Sequence, residues 1–237
     1  VTSKNRYILD EESSAFLNAI LDTCQSRIKK IEKCSYVWRA QDGHEWRSLV
    51  QEDPDTLEEI YIDDLPCPYS FNRMKPLVDS ASEGRANPKG IPCLYVATDK
   101  ETAMSEVRPW LGSIVTVACF KTIRALQVID FSVGHGKKNT RFYLEEPTPE
   151  KIIEAVWFDL DNAFSRPTKT SDLKSDYAPT QIIAEFLKTK GYDGVAYKSS
   201  LADGYNVALF DLDAAEVCGC SLYEVSNIKF DFKKVHE

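Results

Sequence analysis

Five side chains have types suited to chemistry and sit where strands are predicted to end. They are Arg39 in Tyr36-Val37-Trp38-Arg39-Ala40-Gln41, Arg85 in Gly84-Arg85-Ala86-Asn87-Pro88, Tyr95 and Glu106 eleven residues apart, and Ser199 in Ala196-Tyr197-Lys198-Ser199-Ser200. An arginine fork recognises phosphate or carboxylate oxygens, and a fixed carboxylate stabilises positive charge that develops in a reaction. Taken singly, each has an ordinary role: a strand Arg snorkels, a strand Tyr joins the core, a helical Glu is solvated, and a Ser after a strand forms a turn. Other chemistries lack their residues. His44, His135 and His236 fall in a polar loop, a Gly-rich turn and the extreme tail, and all three read as surface residues. No Gly-Lys-Ser/Thr phosphate loop or dinucleotide glycine fingerprint occurs, since Gly134-His135-Gly136 is a lone pair of glycines in a turn. Cys218-Gly219-Cys220 is too tight for zinc ligation and has no second pair, so no metal site is expected.

The elements that must position these residues can be read from periodicity. Residues 10–33 are predicted as one helix, with Asp10 as N-cap and Phe16, Leu17, Ile20, Leu21, Cys24, Ile28 and Ile31 along one stripe. A short strand follows over 34–41, pointing Val37 and Arg39 away from Tyr36 and Trp38. Residues 51–90 are acidic and then rich in Pro, Asn and Gly, and are predicted as an ordered loop. A strand over 93–97 leads into a short helix capped by Asp99 and stopped before Pro109. Runs 113–121 and 125–131 are predicted as paired strands. Helices are expected over 149–164 and 179–190, the second ended by Gly191. Strands are predicted near 194–199 and 206–211, and one or two more over 221–233. The whole is an α+β fold with a mixed or antiparallel sheet core flanked by helices.

The net charge of −8 opposes direct contact with nucleic acid, and the basic residues are scattered apart from pairs such as Lys29-Lys30 and Lys137-Lys138. A few arginines can still make a locally positive pocket for an anionic small molecule. Seven cysteines, an odd number, are expected to be reduced thiols packed as small apolar residues. No apolar run approaches a membrane span and no export signal is visible, so a cytoplasmic location without membrane contact is expected.

In their order, these segments resemble the RES domain, a family named for its Arg, Glu and Ser, from about Tyr36 to Asp211. The matching stretches are Trp38-Arg39-Ala40, the run Gly84 to Pro92, Leu94-Tyr95-Val96-Ala97 with Thr102 to Pro109, Thr180 to Glu185, and Gly194 to Ser200 followed by Gly204 to Phe210. Residues 1–33 would then form an N-terminal helical segment and 34–237 the RES-type catalytic domain. The resemblance implies a fold like that of ADP-ribosyltransferase toxins, with NAD⁺ in a cleft at the sheet as substrate and no separate cofactor. It also implies a toxin neutralised by a cognate antitoxin carrying a helix-turn-helix domain, and a homodimer.

On that resemblance Arg39, Tyr95, Glu106 and Ser199 are the expected catalytic set, and Arg85, Asn87, Tyr197 and Asn206 the expected substrate-binding set. Breaking the nicotinamide–ribose bond leaves positive charge on the ribose while nicotinamide departs neutral, so no histidine acid is needed. Glu106 would hold the ribose hydroxyls and stabilise an oxocarbenium-like transition state. Arg39 and Arg85 would bind the pyrophosphate or ribose side, Tyr95 would stack on nicotinamide or close the cleft, and Ser199 would position the ribose or the attacking group. Ser199 is preferred to the adjacent Ser200 by its spacing from Tyr197. Water as acceptor makes a glycohydrolase and phosphate a phosphorylase. The alternatives are a mono-ADP-ribosyltransferase acting on a protein and a non-catalytic module that binds NAD⁺ or a partner.

Overall fold

The computed structural model describes residues 9–78, 80–136, 146–166, 177–229, 231–232 and 234. His236 and the Lys137-Lys138 pair lie outside them. An eight-stranded sheet runs in the order β1-β7-β8-β9-β5-β2-β6-β10, and β3 and β4 form a separate two-stranded sheet. The strands are β1 (Ile28–Ile31), β2 (Tyr36–Asp42), β3 (Glu45–Glu52), β4 (Glu59–Cys67), β5 (Leu94–Ala97), β6 (Ile114–Thr122), β7 (Leu126–Asp130), β8 (Gly194–Lys198), β9 (Tyr205–Leu209) and β10 (Ala215–Glu224). The helices are α1 (Glu11–Thr23), α2 (Phe71–Met74), α3 (Lys100–Glu106), α4 (Pro149–Ser165) and α5 (Ala178–Thr189). Pairing in the large sheet is antiparallel except where β7 and β8 run parallel. This is the expected α+β architecture with helices against a mostly antiparallel sheet.

Period-two alternation divides the sheet's side chains between two cores. On one face Ile129, Val195, Tyr197 and Ala208 meet Leu17 and Ile20 of α1, Trp157, Leu160 and Phe164 of α4, and Ile183, Ala184 and Leu187 of α5. On the other face Val37, Leu94, Val96, Phe120, Val128 and Val207 gather around Met74. Phe164 is fully buried and stacks on Phe131 at 4.4 Å between centroids. Truncating a ring so placed costs about 3–5 kcal/mol.

Local signals hold where chemistry is local. The Asp10 carboxylate accepts from the Ser13 N–H at 2.8 Å, and Asp99 accepts from the Thr102 N–H at 2.7 Å, so both act as the expected N-caps. Pro179 stands in the first turn of α5, and Gly191 follows the helix at φ +87°.

Four expectations are corrected. The helix predicted over 10–33 stops at Thr23, and after one 3-10 turn Ile28–Ile31 pairs with β7 at the sheet edge. Three residues apart, Ile28 and Ile31 share a helical stripe, but in the strand they point to opposite faces and pack against the two different cores, a placement the edge of β7 decides. The segment 51–90 contains much of the β3–β4 hairpin, whose acidic residues and Pro66 hid the alternation. This hairpin leaves Trp46, Leu57 and Tyr61 exposed. The strands β6 and β7 are not partners: β6 lies between β2 and β10, and β7 between β1 and β8. The last strand begins at Ala215 and ends at Glu224, earlier than the predicted 221–233.

All seven cysteines are free. Cys24 and Cys93 are buried as expected, whereas Cys34 and Cys218 are exposed. No helix among the described residues is long and apolar enough to cross a membrane.

Candidate active site

Strands β2 and β5 are adjacent yet share a single ladder pair, Trp38 with Ala97, while β2 follows β6 from Tyr36 to Asp42. The cleft opens at this weak seam. Arg39 from β2 and Tyr95 from β5 line both of its parts. One is a cavity of about 270 Å³ reached by Glu106, Tyr197 and Asn206, and the other a cavity of about 420 Å³ bordered by Arg73, Lys75, Pro76, Leu77 and residues 80–82.

Glu106 is the last residue of α3, and two side chains hold the same oxygen. The Ser199 hydroxyl and the Asn206 amide each donate to Oε1 at 2.7 Å. Among the described residues Oε2 accepts no hydrogen bond and remains available to a ligand. The arrangement follows from the loop after β8. Lys198 Nζ donates to the carbonyls of Ala202 and Gly204, closing the turn, and the Gly204 N–H donates to Thr102 Oγ1 on α3 at 3.1 Å. A side chain at Gly204 would strike Asp99 and Thr102, so only glycine brings the loop this close to α3. Ser199 is buried and its Oγ also accepts from the N–H groups of Leu201 and Ala202, at 3.1 and 3.2 Å. Its neighbour Ser200 is exposed. With its proton given to Glu106 and its lone pairs occupied, the Ser199 hydroxyl positions the carboxylate.

Tyr95 and Asn87 form a second unit. The Tyr95 hydroxyl accepts from the Ala86 N–H at 2.9 Å and donates to Asn87 Oδ1 at 2.7 Å. The Asn87 amide donates to the carbonyls of Ser82, Pro88 and Ile91. Asn87 lines the larger cavity, but its amide is engaged by the loop and its Oδ1 by Tyr95. Gly84 lets the loop fold over the ring, because a Cβ there would clash with the Tyr95 hydroxyl and lie 2.9 Å from its Cζ. Burial holds the Tyr95 and Tyr197 phenols well above the usual tyrosine range, so both are neutral. Tyr197 packs its ring toward Phe164 at 5.8 Å and reaches the smaller cavity.

Arg39 has its Nε buried without a hydrogen-bond partner among the described residues. Burial lowers its pKa, opposed by the nearby Cys93 and Tyr95, but a guanidinium keeps its charge. A buried donor left unpaired costs about 1–3 kcal/mol, a debt that a bound acceptor removes.

Arg85 lines neither cavity, although its charge acts on Tyr95 and Tyr197. It donates to the carbonyls of Ala163 and Arg166 at the end of α4, satisfying groups that a helix C-terminus leaves open. The geometry thus gives Arg85 a structural contact with the end of α4. Sequence reasoning missed Arg73, Lys75 and Gln181. Gln181 of α5 donates to the carbonyls of Gly84 and Asn87 at 2.8 and 3.0 Å and so fixes the loop. Its place in the Thr180-Gln181 stretch was a visible signal. Arg73 and Lys75 had none within a segment predicted as loop.

His135 is exposed, as expected, and His44 is half-buried. His135 Nδ1 lies 2.6 Å from the buried Asp161 Oδ2, and His44 Nε2 is buried without a partner, its ring edge-on to Trp46. Among the described residues no group of three or more His, Cys, Asp or Glu side chains is placed to hold a metal ion.

A family model, the RES domain, matches residues 65–231. The chain belongs to the RES domain family. The matched segment holds Arg85, Asn87, Tyr95, Glu106, Tyr197, Ser199 and Asn206. It starts after Arg39, with most of the β3–β4 hairpin standing between, and it runs beyond Asp211. Arg39 joins the RES cleft through β2, placed by its pairing with β6. Among solved structures, this RES chain is similar to one described as the crystal structure of the M. tuberculosis MbcT-MbcA toxin-antitoxin complex. Identity is 16%, coverage is 92% of this chain and 96% of that chain, and the TM-score is 0.46. No curated protein matches.

Proposed function

We propose that this RES protein cleaves the nicotinamide–ribose bond of NAD⁺. The supporting observation is the Glu106 carboxylate, held on Oε1 by Ser199 and Asn206, with Oε2 accepting no hydrogen bond among the described residues, beside a cavity walled by Arg39 and Tyr95. As the bond between ribose C1′ and the pyridinium nitrogen breaks, its electron pair goes to the nitrogen and nicotinamide leaves neutral. The positive charge left on the ribose is stabilised by Glu106, whose Oε2 accepts from the ribose hydroxyls. The acceptor oxygen then bonds to C1′. Water gives ADP-ribose and releases a proton, whereas phosphate gives the 1-phosphate ester. The Arg39 guanidinium is the anchor for phosphate oxygens, which would supply its buried Nε with an acceptor.

Family membership further supports a place as the toxin of a toxin–antitoxin pair, with a cognate helix-turn-helix antitoxin as partner. Product analysis tests the chemistry. NAD⁺ incubated with purified protein, with and without inorganic phosphate, should yield nicotinamide together with ADP-ribose or its phosphate ester by mass spectrometry. ADP-ribose appearing only on an added protein would assign the chain to protein modification. Intact NAD⁺ under all these conditions, with the chain folded, would defeat the reading.

A further inference from the structure

The Glu106 cleft continues past Arg39 and Tyr95 into the larger cavity, whose wall carries Arg39, Arg73 and Lys75 together with Pro76 and Leu77. Three cations on one wall are notable in a chain of net charge −8. Arg73 is fixed before any ligand arrives. Its guanidinium lies 3.7 Å above the Tyr69 ring, and its carbonyl accepts from Gln41 Nε2 at 3.0 Å. Tyr69 is buried and donates its hydroxyl to the Asp42 carbonyl at 3.2 Å, so the platform is rigid. Among the described residues no carboxylate pairs with Arg39 or Arg73, whereas Lys75 is paired with Asp213 at 3.1 Å. The two arginines therefore keep their donors available, and Leu77 stands 64% exposed at the rim.

We propose that this second cavity binds the adenosine diphosphate half of the substrate. Arg39 and Arg73 clamp the diphosphate, and Pro76 and Leu77 face the adenosine. This rests on the reading of NAD⁺ as substrate. Two adjoining cavities, one at the carboxylate and one at the arginines, match a ligand with a cationic ribosyl end and a dianionic centre; the cavity at the arginines, about 420 Å³, falls in the range of about 300–1,000 Å³ usual for small-molecule sites, and the one at the carboxylate, about 270 Å³, lies just below it. The fork of Arg73 takes over the part expected of Arg85, which is committed to α4.

The test is the binding of ADP, which lacks the nicotinamide riboside, by calorimetry, alongside the kinetics of NAD⁺ cleavage. Wild type binds ADP. Arg73→Ala weakens that binding roughly tenfold to hundredfold and raises KM for NAD⁺ by a similar factor, with kcat within about twofold. Arg73→Lys falls between, because a point charge lacks the fork. Leu77→Asp, at an exposed position that folding does not depend on, also weakens ADP. If wild type cleaves NAD⁺ and both Arg73→Ala and Leu77→Asp bind ADP normally, the subsite is wrong and the reading of function survives. If wild type binds neither ADP nor NAD⁺, the reading itself fails and takes the subsite with it.

Discussion

Replacing Ser199 with Ala separates a positioning role from a direct one. The Ser199 hydroxyl gives Glu106 Oε1 one of its two hydrogen bonds at 2.7 Å. A hydrogen bond to a charged group is worth about 1.5–3 kcal/mol. Expressed fully in the transition state, that is a loss of about tenfold to hundredfold in rate. Asn206 still holds the same oxygen, so the expected loss in kcat is near tenfold. Glu106→Gln removes the charge itself and is expected to cost about a hundredfold to a thousandfold. The double variant decides. If Ser199 acts only through the carboxylate, Ser199→Ala in the Glu106→Gln background costs no further activity. Stability should fall by about 1–3 kcal/mol, because the N–H groups of Leu201 and Ala202 lose their acceptor. The assay is nicotinamide release, paired with urea unfolding. A further tenfold loss in the double variant, or a Ser199→Ala enzyme as inert as Glu106→Gln, would refute the positioning account.

Three other outcomes are expected. Gly84→Ala should lower stability by about 1–3 kcal/mol through the clash with the Tyr95 hydroxyl, partly recovered by adding Tyr95→Phe; an unchanged urea midpoint would contradict the packing. Arg85→Ala should cost about 1–2 kcal/mol in melting experiments and leave KM for NAD⁺ unchanged, whereas a large rise in KM would return Arg85 to the substrate. Burial pushes the Cys93 thiol from 9.0 up to about 12 and raises the Tyr95 and Tyr197 phenols as well. These groups ionise more readily in the unfolded chain, so stability should be full below pH 9 and decline between pH 9 and about 12. Urea midpoints over that span, with Cys93→Ala flattening the first part, provide the check; a flat wild-type profile would count against it.

What was legible in the sequence follows the range of the forces involved. Asp99 three residues before Thr102, or Pro179 and Gly191 at the ends of α5, carry their meaning in a few neighbouring residues, and those elements were read correctly. The Tyr95, Glu106 and Ser199 cluster was legible only through resemblance, since the Ser199–Glu106 bond spans 93 positions. Whether Ile28 and Ile31 continue a helix or edge a sheet depends on the open flank of β7. The roles of Arg85 and Arg73 were opaque for a related reason. An arginine's target is decided by which carbonyls or aromatic rings surround its head, here the end of α4 and the Tyr69 face.

The most direct test of the central claim is the rate of NAD⁺ loss, with nicotinamide quantified alongside, for wild type and Glu106→Gln at matched folded concentration. Stoichiometric nicotinamide release by wild type and its near-abolition in Glu106→Gln is the predicted result. Equal rates in both proteins, or none in folded wild type, would contradict the assignment of this cleft to NAD⁺ cleavage.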